Sequence, residues 1–319
     1  TRVENACGSG QEALRGATYG IASKAYDLVM ALGVEKCKDL GFGGLGPMYP
    51  GRHESVYGAL GTPPGRYAMA ATAYFAKYGL SPEEGKRILA EISVKSHYYG
   101  ARNPKAHLRR EITVETAANA PIIAWPLGLY DCCGVTDGAS AAILCPAEDA
   151  RRFRDDYVTI KGFGLGLTPG WEKERDDYDF TYWNATEVAA RFAYEEAGIK
   201  DPRKELDTVE LHDCFSIAEL IATESLFLCE HGKYKQEFTE KRAYYLDGEM
   251  PVDVSGGLKS FGHPIGASGC REVCEIYKQI QGKAEEPSRQ IENVKLGLAH
   301  NQGGHPGRFI CGVAIVGAP

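Results

Sequence analysis

Apolar and polar positions alternate between two rhythms along this chain. Residues 10–24 repeat small and apolar side chains at helical spacing, just after the stretch "VENACGSG". The run "YDLVMALGVEK" (26–36) is short, apolar and ended by Gly33, and it predicts a buried strand. "GFGGLGPMYPG" (41–51) is punctuation; its glycines are weak evidence for a nucleotide, because no acidic ribose-binding residue follows at the right spacing. From 52 to 110 the pattern is helical with loops. Ser81-Pro82-Glu83-Glu84 predicts a helix start with a capping box. "GASAAILCP" (138–146) and "YVTIKGFG" (157–164) predict strands, and "TPGWEKERDDYDFTYW" (168–183) a polar, aromatic surface loop. Helices are then expected over 185–198, stopped by Gly198, over 216–232 and over 267–282. Strands are expected at 206–213, "VKLGLAH" and "FICGVAIVG". Alternating helices and strands point to an α/β protein.

Composition narrows the function class more than the fold. The chain has 319 residues, 44% hydrophobic and 25% charged, enough for a large core or two sub-domains. It begins at Thr1 rather than Met, with residues that already read as structured, so a preceding segment is expected. No apolar run approaches the roughly 18–20 residues of a membrane span, and no signal-peptide pattern opens the chain. Ten cysteines are scattered, with Cys132 and Cys133 adjacent, which suits neither a disulfide scaffold nor a zinc knuckle; reduced thiols in the cytoplasm are expected. A net charge of −7 argues against nucleic-acid binding. The charge is uneven, however. Lys86, Arg87, Lys95, Arg102, Lys105, Arg109 and Arg110 stand against Glu91 alone, which suits either a small anionic ligand or a solvated helix face.

Four stretches place Cys, His or Asn beside glycines at strand ends or helix starts: "NACGSG", "LHDCFS", "GGLKSFGHPIGASG" and "AHNQGGHPG". A thiol at Cys7 before a helix start is expected to have a lowered pKa, with glycines leaving room for an acyl group and backbone N–H groups for an oxyanion. The competing reading is a small buried Cys in a tight turn. His263, between Gly262 and Pro264, could take a proton or donate to an oxyanion, or serve packing alone. His212 and Cys214 follow a strand and precede a helix, one residue apart across Asp213, so both can aim the same way. Asp213 could orient a neighbour or cap the following helix. Asn301 offers an amide, flanked by His300 and His305. Zinc is disfavoured, since no CxxC or HxxxH spacing is present.

Taken together, "VENACGSGQEAL", "ELHDCFSIAEL", "GGLKSFGHPIGASG" and "HNQGG" occur in the order seen in thiolases, and the chain resembles their sterol-carrier-protein-type branch over nearly its whole length. "MAATAYFAKYGLSPEE", "ARNPKAHLRREITVE" and "LYDCCGVTDGASAAIL" are similar to that branch as well. The resemblance implies an α/β thiolase fold: two pseudo-repeated βαβ halves in a layered αβαβα arrangement, with an inserted loop domain near 35–135. The halves would be 1–150, incomplete at its start, and 151–319.

It also implies roles. Cys7 would be the nucleophile, His263 its activating base, and His212 a donor to a second thioester oxygen. Asn301 stands where many thiolases have a second catalytic Cys, so Cys214 becomes the acid/base candidate; Cys311, inside an apolar strand, is a poor substitute. Ser260, Gly303, Gly304, His305 and Arg109 are expected near substrate or coenzyme A. No bound cofactor is implied, and coenzyme A is a co-substrate.

"HNQGGHPG" is similar to thiolases that work with a small zinc-ribbon and OB-fold partner protein, such as archaeal acetoacetyl-CoA enzymes and benzoylsuccinyl-CoA thiolase. A homodimer is implied as well. Trp125 stands where a smaller or acidic residue is expected, and His305 is unusual in its loop; both would reshape an acyl pocket. The expected activity is acyl-CoA:acetyl-CoA C-acyltransfer through an acyl-cysteine, with a branched or aromatic acyl group within its range. The rivals are a retro-aldol lyase of 3-hydroxyacyl-CoA on the same fold and a non-catalytic CoA-ester binder.

Overall fold

The computed structural model describes residues 1–40 and 62–319; the glycine-rich expectation at 41–51 falls outside them. In chain order the principal elements are α1 (Ser9–Ala22), β1 (Val29–Lys36), α2 (Pro63–Tyr78), α3 (Pro82–Ala101), the short α4 (Val114–Ala118), β2 (Ile122–Ala124), β3 (Leu127–Gly128), β4 (Asp137–Leu144) and β5 (Thr159–Leu167). They continue with α5 (Asn184–Ala197), the single-turn α6 (Pro202–Glu205), β6 (Thr208–Glu210), α7 (Ser216–Ser225), α8 (Ser268–Ile280), β7 (Leu296–His305) and β8 (Arg308–Gly317).

Local chemistry explains several boundaries. Ser81 accepts the Glu84 N–H while the Glu84 carboxylate accepts that of Ser81, and Pro82 opens α3. Gly198 ends α5 at a φ of 75°, a left-handed conformation that glycine takes without a Cβ clash.

Two sheets sandwich a pair of helices. β1 and β4 pair antiparallel from Val29↔Leu144 to Lys36↔Asp137. The other sheet has the order β5-β8-β7-β6, with only the β6–β7 pair parallel. Between them lie α1 and α8, packed on each other, on β1 and on strands of both sheets. α5 covers the outer face of β5 and β8. Each half thus places one central helix ahead of an antiparallel strand pair: α1 before β1 and β4, α8 before β7 and β8. The described part of the excursion between Lys36 and Asp137 carries α2, α3 and the small β2–β3 hairpin. α2 and α3 pack on α7 and share a core with Leu211, Phe215 and Phe309.

The structure departs from the sequence pattern in places. Among the described residues β1 is covered on one face: Met30, Leu32 and Val34 are 59%, 52% and 64% exposed while Ala31 is buried. Its unbroken apolar run looked like a strand covered on both faces. The strand expected at 206–213 ends at Glu210, and the helix expected to 232 stops at Ser225. The 168–183 insert is not wholly a surface loop, because Tyr178, Thr181 and Trp183 are buried, Trp183 against Tyr67 and Phe309.

Candidate active site

The central helices bring two loops together. A Cβ at Gly10 would stand 2.7 Å from the Gly266 carbonyl oxygen, and one at Gly269 would stand 2.4 Å from the Gln11 nitrogen. The N-termini of α1 and α8 can therefore cross this closely only because both positions are glycine. The residues leading into these helices, Cys7 and His263, meet as a result. The Cys7 sulfur and one ring nitrogen each of His212 and His263 lie within 4.8 Å of one another.

Cys7 sits on a tight turn. Ala6 holds a φ of 49°, a region that costs a non-glycine residue roughly 1 kcal/mol or more. The Ser9 hydroxyl accepts the Asn5 N–H at 2.8 Å and donates to the Ala6 carbonyl at 2.6 Å, fixing that turn. A Cβ at residue 303 would lie 2.0 Å from the Asn5 carbonyl oxygen, so Gly303 lets β7 back directly onto it. The lowered thiol pKa expected from sequence is not what this site produces. The helix begins only at Ser9, capped by Gly8, and Cys7 stands just outside its first turn. Although the residue keeps partial surface, burial pushes its thiol up to about 12, helped by Cys37, Glu35 and Glu4 and opposed by its own backbone N–H.

His263 faces this thiol as a neutral base. Its Nδ1 lies 2.7 Å from the Ser268 hydroxyl, which is itself 3.2 Å from the Pro264 carbonyl. Assigning the hydroxyl proton to that carbonyl puts the imidazole proton on Nδ1 and the lone pair on Nε2. Nε2 is buried and has no hydrogen-bond partner among the described residues. Burial, with Arg271 nearby, drives the His263 pKa down to about 3.

His212 is arranged the opposite way. The Asn301 Nδ2 group lies 3.0 Å from its Nδ1, so Nδ1 accepts and the ring proton falls on Nε2. Burial first, then His263, His300 and Arg271, hold this ring well below the usual histidine range. The two imidazoles meet edge to face, centroids 4.9 Å apart.

Cys214 is buried, and burial, then the Cys133 and Cys7 thiols, raise its pKa well above the usual value. The Tyr67 hydroxyl donates to its sulfur and opposes that rise; Gln302 Nε2 in turn donates to Tyr67 at 3.1 Å. Asp213 does not cap the helix that follows it, whose N-cap is Phe215. Its carboxylate accepts the Leu258 N–H and faces the Lys259 ammonium at 3.7 Å, tying this segment to the turn that leads to His263. Asp213, Glu219 and Asp253 form a buried acidic group facing Lys95 and Lys259. Sulfur with two imidazoles is a donor set that zinc can use, though the opposite ring tautomers suit proton transfer.

The remaining expected residues scatter. Ser260 is fully buried and donates to the Leu108 carbonyl at 2.7 Å. Arg109 is exposed. Gly304, with a φ of 103°, and His305 line a separate cleft of about 370 Å³ with Asn5 and Ala6. His305 Nδ1 sits 3.0 Å from the Pro306 carbonyl. The basic stretch forms no single patch, since Lys86 pairs with Asp131, Lys95 with buried Glu219 and Arg102 with Glu111. A larger apolar cavity of about 590 Å³ opens beside the triad, lined by Pro63, Leu129, Tyr130, Cys133, Phe215 and His263 among others. Tyr67, Ser268 and Gln302 escaped sequence reading. Only Ser268, near GHP at a helix start, carried a local signal; Tyr67 is brought in by folding alone.

Comparison with known proteins identifies the family. Residues 1–148 match the thiolase N-terminal domain and residues 172–308 a thiolase C-terminal domain-like family. An acetyl-CoA acetyltransferase of Methanothermobacter thermautotrophicus is 38% identical over 96% of this chain and 77% of its own length. The benzoylsuccinyl-CoA thiolase subunit BbsB of Thauera aromatica is 33% identical over 95% of the chain and 76% of its own length. A solved structure entitled Ltp2-ChsH2(DUF35) aldolase superposes with a TM-score of 0.82 at 23% identity, covering 98% of this chain and 78% of that one, a likeness of fold. With both domain types matched in order along it, the chain belongs to the thiolase superfamily of acyltransferases.

Proposed function

We propose that this protein is an acyl-CoA:acetyl-CoA C-acyltransferase working through an acyl-Cys7 intermediate, with coenzyme A as co-substrate. The observation that carries the reading is the meeting of the Cys7 sulfur with one ring nitrogen each of His212 and His263 within 4.8 Å. In the cleavage direction His263 Nε2 takes the Cys7 proton as the sulfur attacks the 3-oxo carbon of a 3-oxoacyl-CoA. The carbon–carbon bond breaks, leaving the acyl group on sulfur and an acetyl-CoA enolate. The His212 Nε2–H donates to the enolate oxygen, and Cys214, held by Tyr67, gives its proton to the enolate carbon. The Cys214 thiolate then takes the thiol proton of a second coenzyme A, whose sulfur attacks the acyl-Cys7 carbonyl and releases acyl-CoA, and His263 returns its proton to the departing Cys7 sulfur. General-base assistance contributes about 10²–10⁴ in rate, and one oxyanion donor about 10²–10³.

The apolar cavity of about 590 Å³ supports a bulky, branched or aromatic acyl group, in keeping with the relative named a benzoylsuccinyl-CoA thiolase. Family membership supports a homodimer. The DUF35 component in the neighbour's title supports a partner protein, for which the loop resemblance favours a small zinc-ribbon/OB-fold type. The cytoplasm is the proposed location, and no helix among the described residues is long and apolar enough to cross a membrane.

Intact-mass measurement after mixing with an acyl-CoA tests the core of this reading. An adduct mapped to Cys7 and removed by free coenzyme A is expected. Carbon–carbon cleavage that persists in Cys7→Ala would instead establish the retro-aldol lyase.

A further inference from the structure

The two imidazoles differ in where they carry their proton, and one face of α8 sets both. Ser268 and Glu272 are four residues apart on this helix and so lie one above the other. Ser268 engages His263 Nδ1. Glu272 is fully buried, and its Oε1 accepts from Asn301 Nδ2 at 3.2 Å. The same Asn301 nitrogen reaches His212 Nδ1 at 3.0 Å. An amide nitrogen carries two protons, one for each of these acceptors, whereas its oxygen can only accept. Were the amide turned over, its oxygen would face the Glu272 Oε1 acceptor, and His212 would have to carry its proton on Nδ1. Its Nε2 would then offer the active site a lone pair in place of an N–H.

We infer that Glu272 is a positioning residue: by fixing the direction of the Asn301 amide it locks His212 in the Nε2–H form, opposite to His263. Among the described residues, its other oxygen, Oε2, is buried without a partner, as is Asn301 Oδ1. Burial raises the Glu272 pKa well above the carboxylate range against the pull of Arg271. The positioning role belongs to an Oε1 that carries no proton and can only accept. One helix thereby assigns the roles. Ser268 makes His263 a base for the thiol, and Glu272, through Asn301, makes His212 a donor for an oxyanion. The catalytic consequence rests on the acyltransferase reading; the tautomer assignment does not.

Nitrogen-15 NMR of histidine-labelled intact protein tests the inference, with the His212 and His263 signals assigned by single substitution. Wild-type protein should show a protonated Nε2 at His212 and a protonated Nδ1 at His263. Glu272→Gln keeps a carbonyl acceptor and should retain the His212 pattern. Glu272→Leu should shift His212 toward Nδ1–H and slow exchange of the acetyl-CoA α-protons by about 10²-fold, the effect of losing one oxyanion donor, with the fall in kcat rather than in KM. Wild-type His212 protonated on Nδ1 would overturn the inference without any variant, and so would an unchanged His212 pattern in folded Glu272→Leu. Correct tautomers in a protein that forms no acyl-Cys7 would leave the positioning role standing and remove the acyltransferase reading.

Discussion

The protonation state of the resting thiol can be measured without turnover. Burial holds Cys7 at about 12 and His263 at about 3, so the pair rests as thiol and neutral imidazole rather than as a thiolate–imidazolium ion pair. At pH 7 a thiol of that pKa is ionised in roughly one molecule in 10⁵, and each pH unit raises the fraction about tenfold. Alkylation of Cys7 by iodoacetamide, read as modification of that cysteine alone by peptide mass, should therefore climb about 100-fold between pH 7 and 9 with no plateau. An ion pair would instead give a nearly flat rate across this window, with a fall only as the imidazolium and thiolate are jointly protonated in acid. The comparison is best made against Cys145, which lies far along the chain and whose thiol is also raised by burial. A pH-independent Cys7 rate near neutrality would refute the view that burial, rather than the helix end, governs this sulfur. Activation would then precede substrate binding instead of accompanying proton transfer to His263.

Three further outcomes follow from the packing. Replacing Ser268 by Ala removes the acceptor for His263 Nδ1–H and should lower kcat for Cys7 acylation by about tenfold or more while leaving the melting temperature within a few degrees. Gly269→Ala forces a methyl to 2.4 Å from the Gln11 backbone nitrogen; urea titration should show a loss of about 1–3 kcal/mol, with activity falling as the helices part. Asp131 accepts from Lys86, Ser93, Ser216 and the Gly128 N–H, so Asp131→Ala should cost about 3 kcal/mol by the same titration and loosen the strand-to-helix segment that follows Cys214.

What could be read in advance follows the range of the interactions involved. The helix ended by Gly198 and the one opened by Ser81 and Glu84 were legible because their caps lie within a few residues of their apolar faces. The GHP and HDC stretches stood out because histidine beside glycine at an element boundary is locally odd. The tautomers were not legible, since each depends on a partner the fold supplies: Asn301 is 89 residues from His212, and Glu272 is 29 from Asn301. Tyr67 reaches Cys214 from the far side of the inserted segment, with nothing in "PPGRYAM" to mark it. The thiol pKa was misjudged because helix position is visible in sequence and desolvation is not. The one-sided cover of β1 was hidden because exposed Met30, Leu32 and Val34 look the same in a sequence as buried ones.

Cys7 leads into one central helix and His263 into the other, so the reacting pair straddles the contact between α1 and α8. Neither helix carries a working pair alone. Because the two helices touch through glycines, a shift of either by an ångström changes the distance that bond-making depends on. The rate is thereby tied to the register of two helices rather than to either loop, and a change elsewhere in the molecule reaches the reacting atoms by moving this crossing.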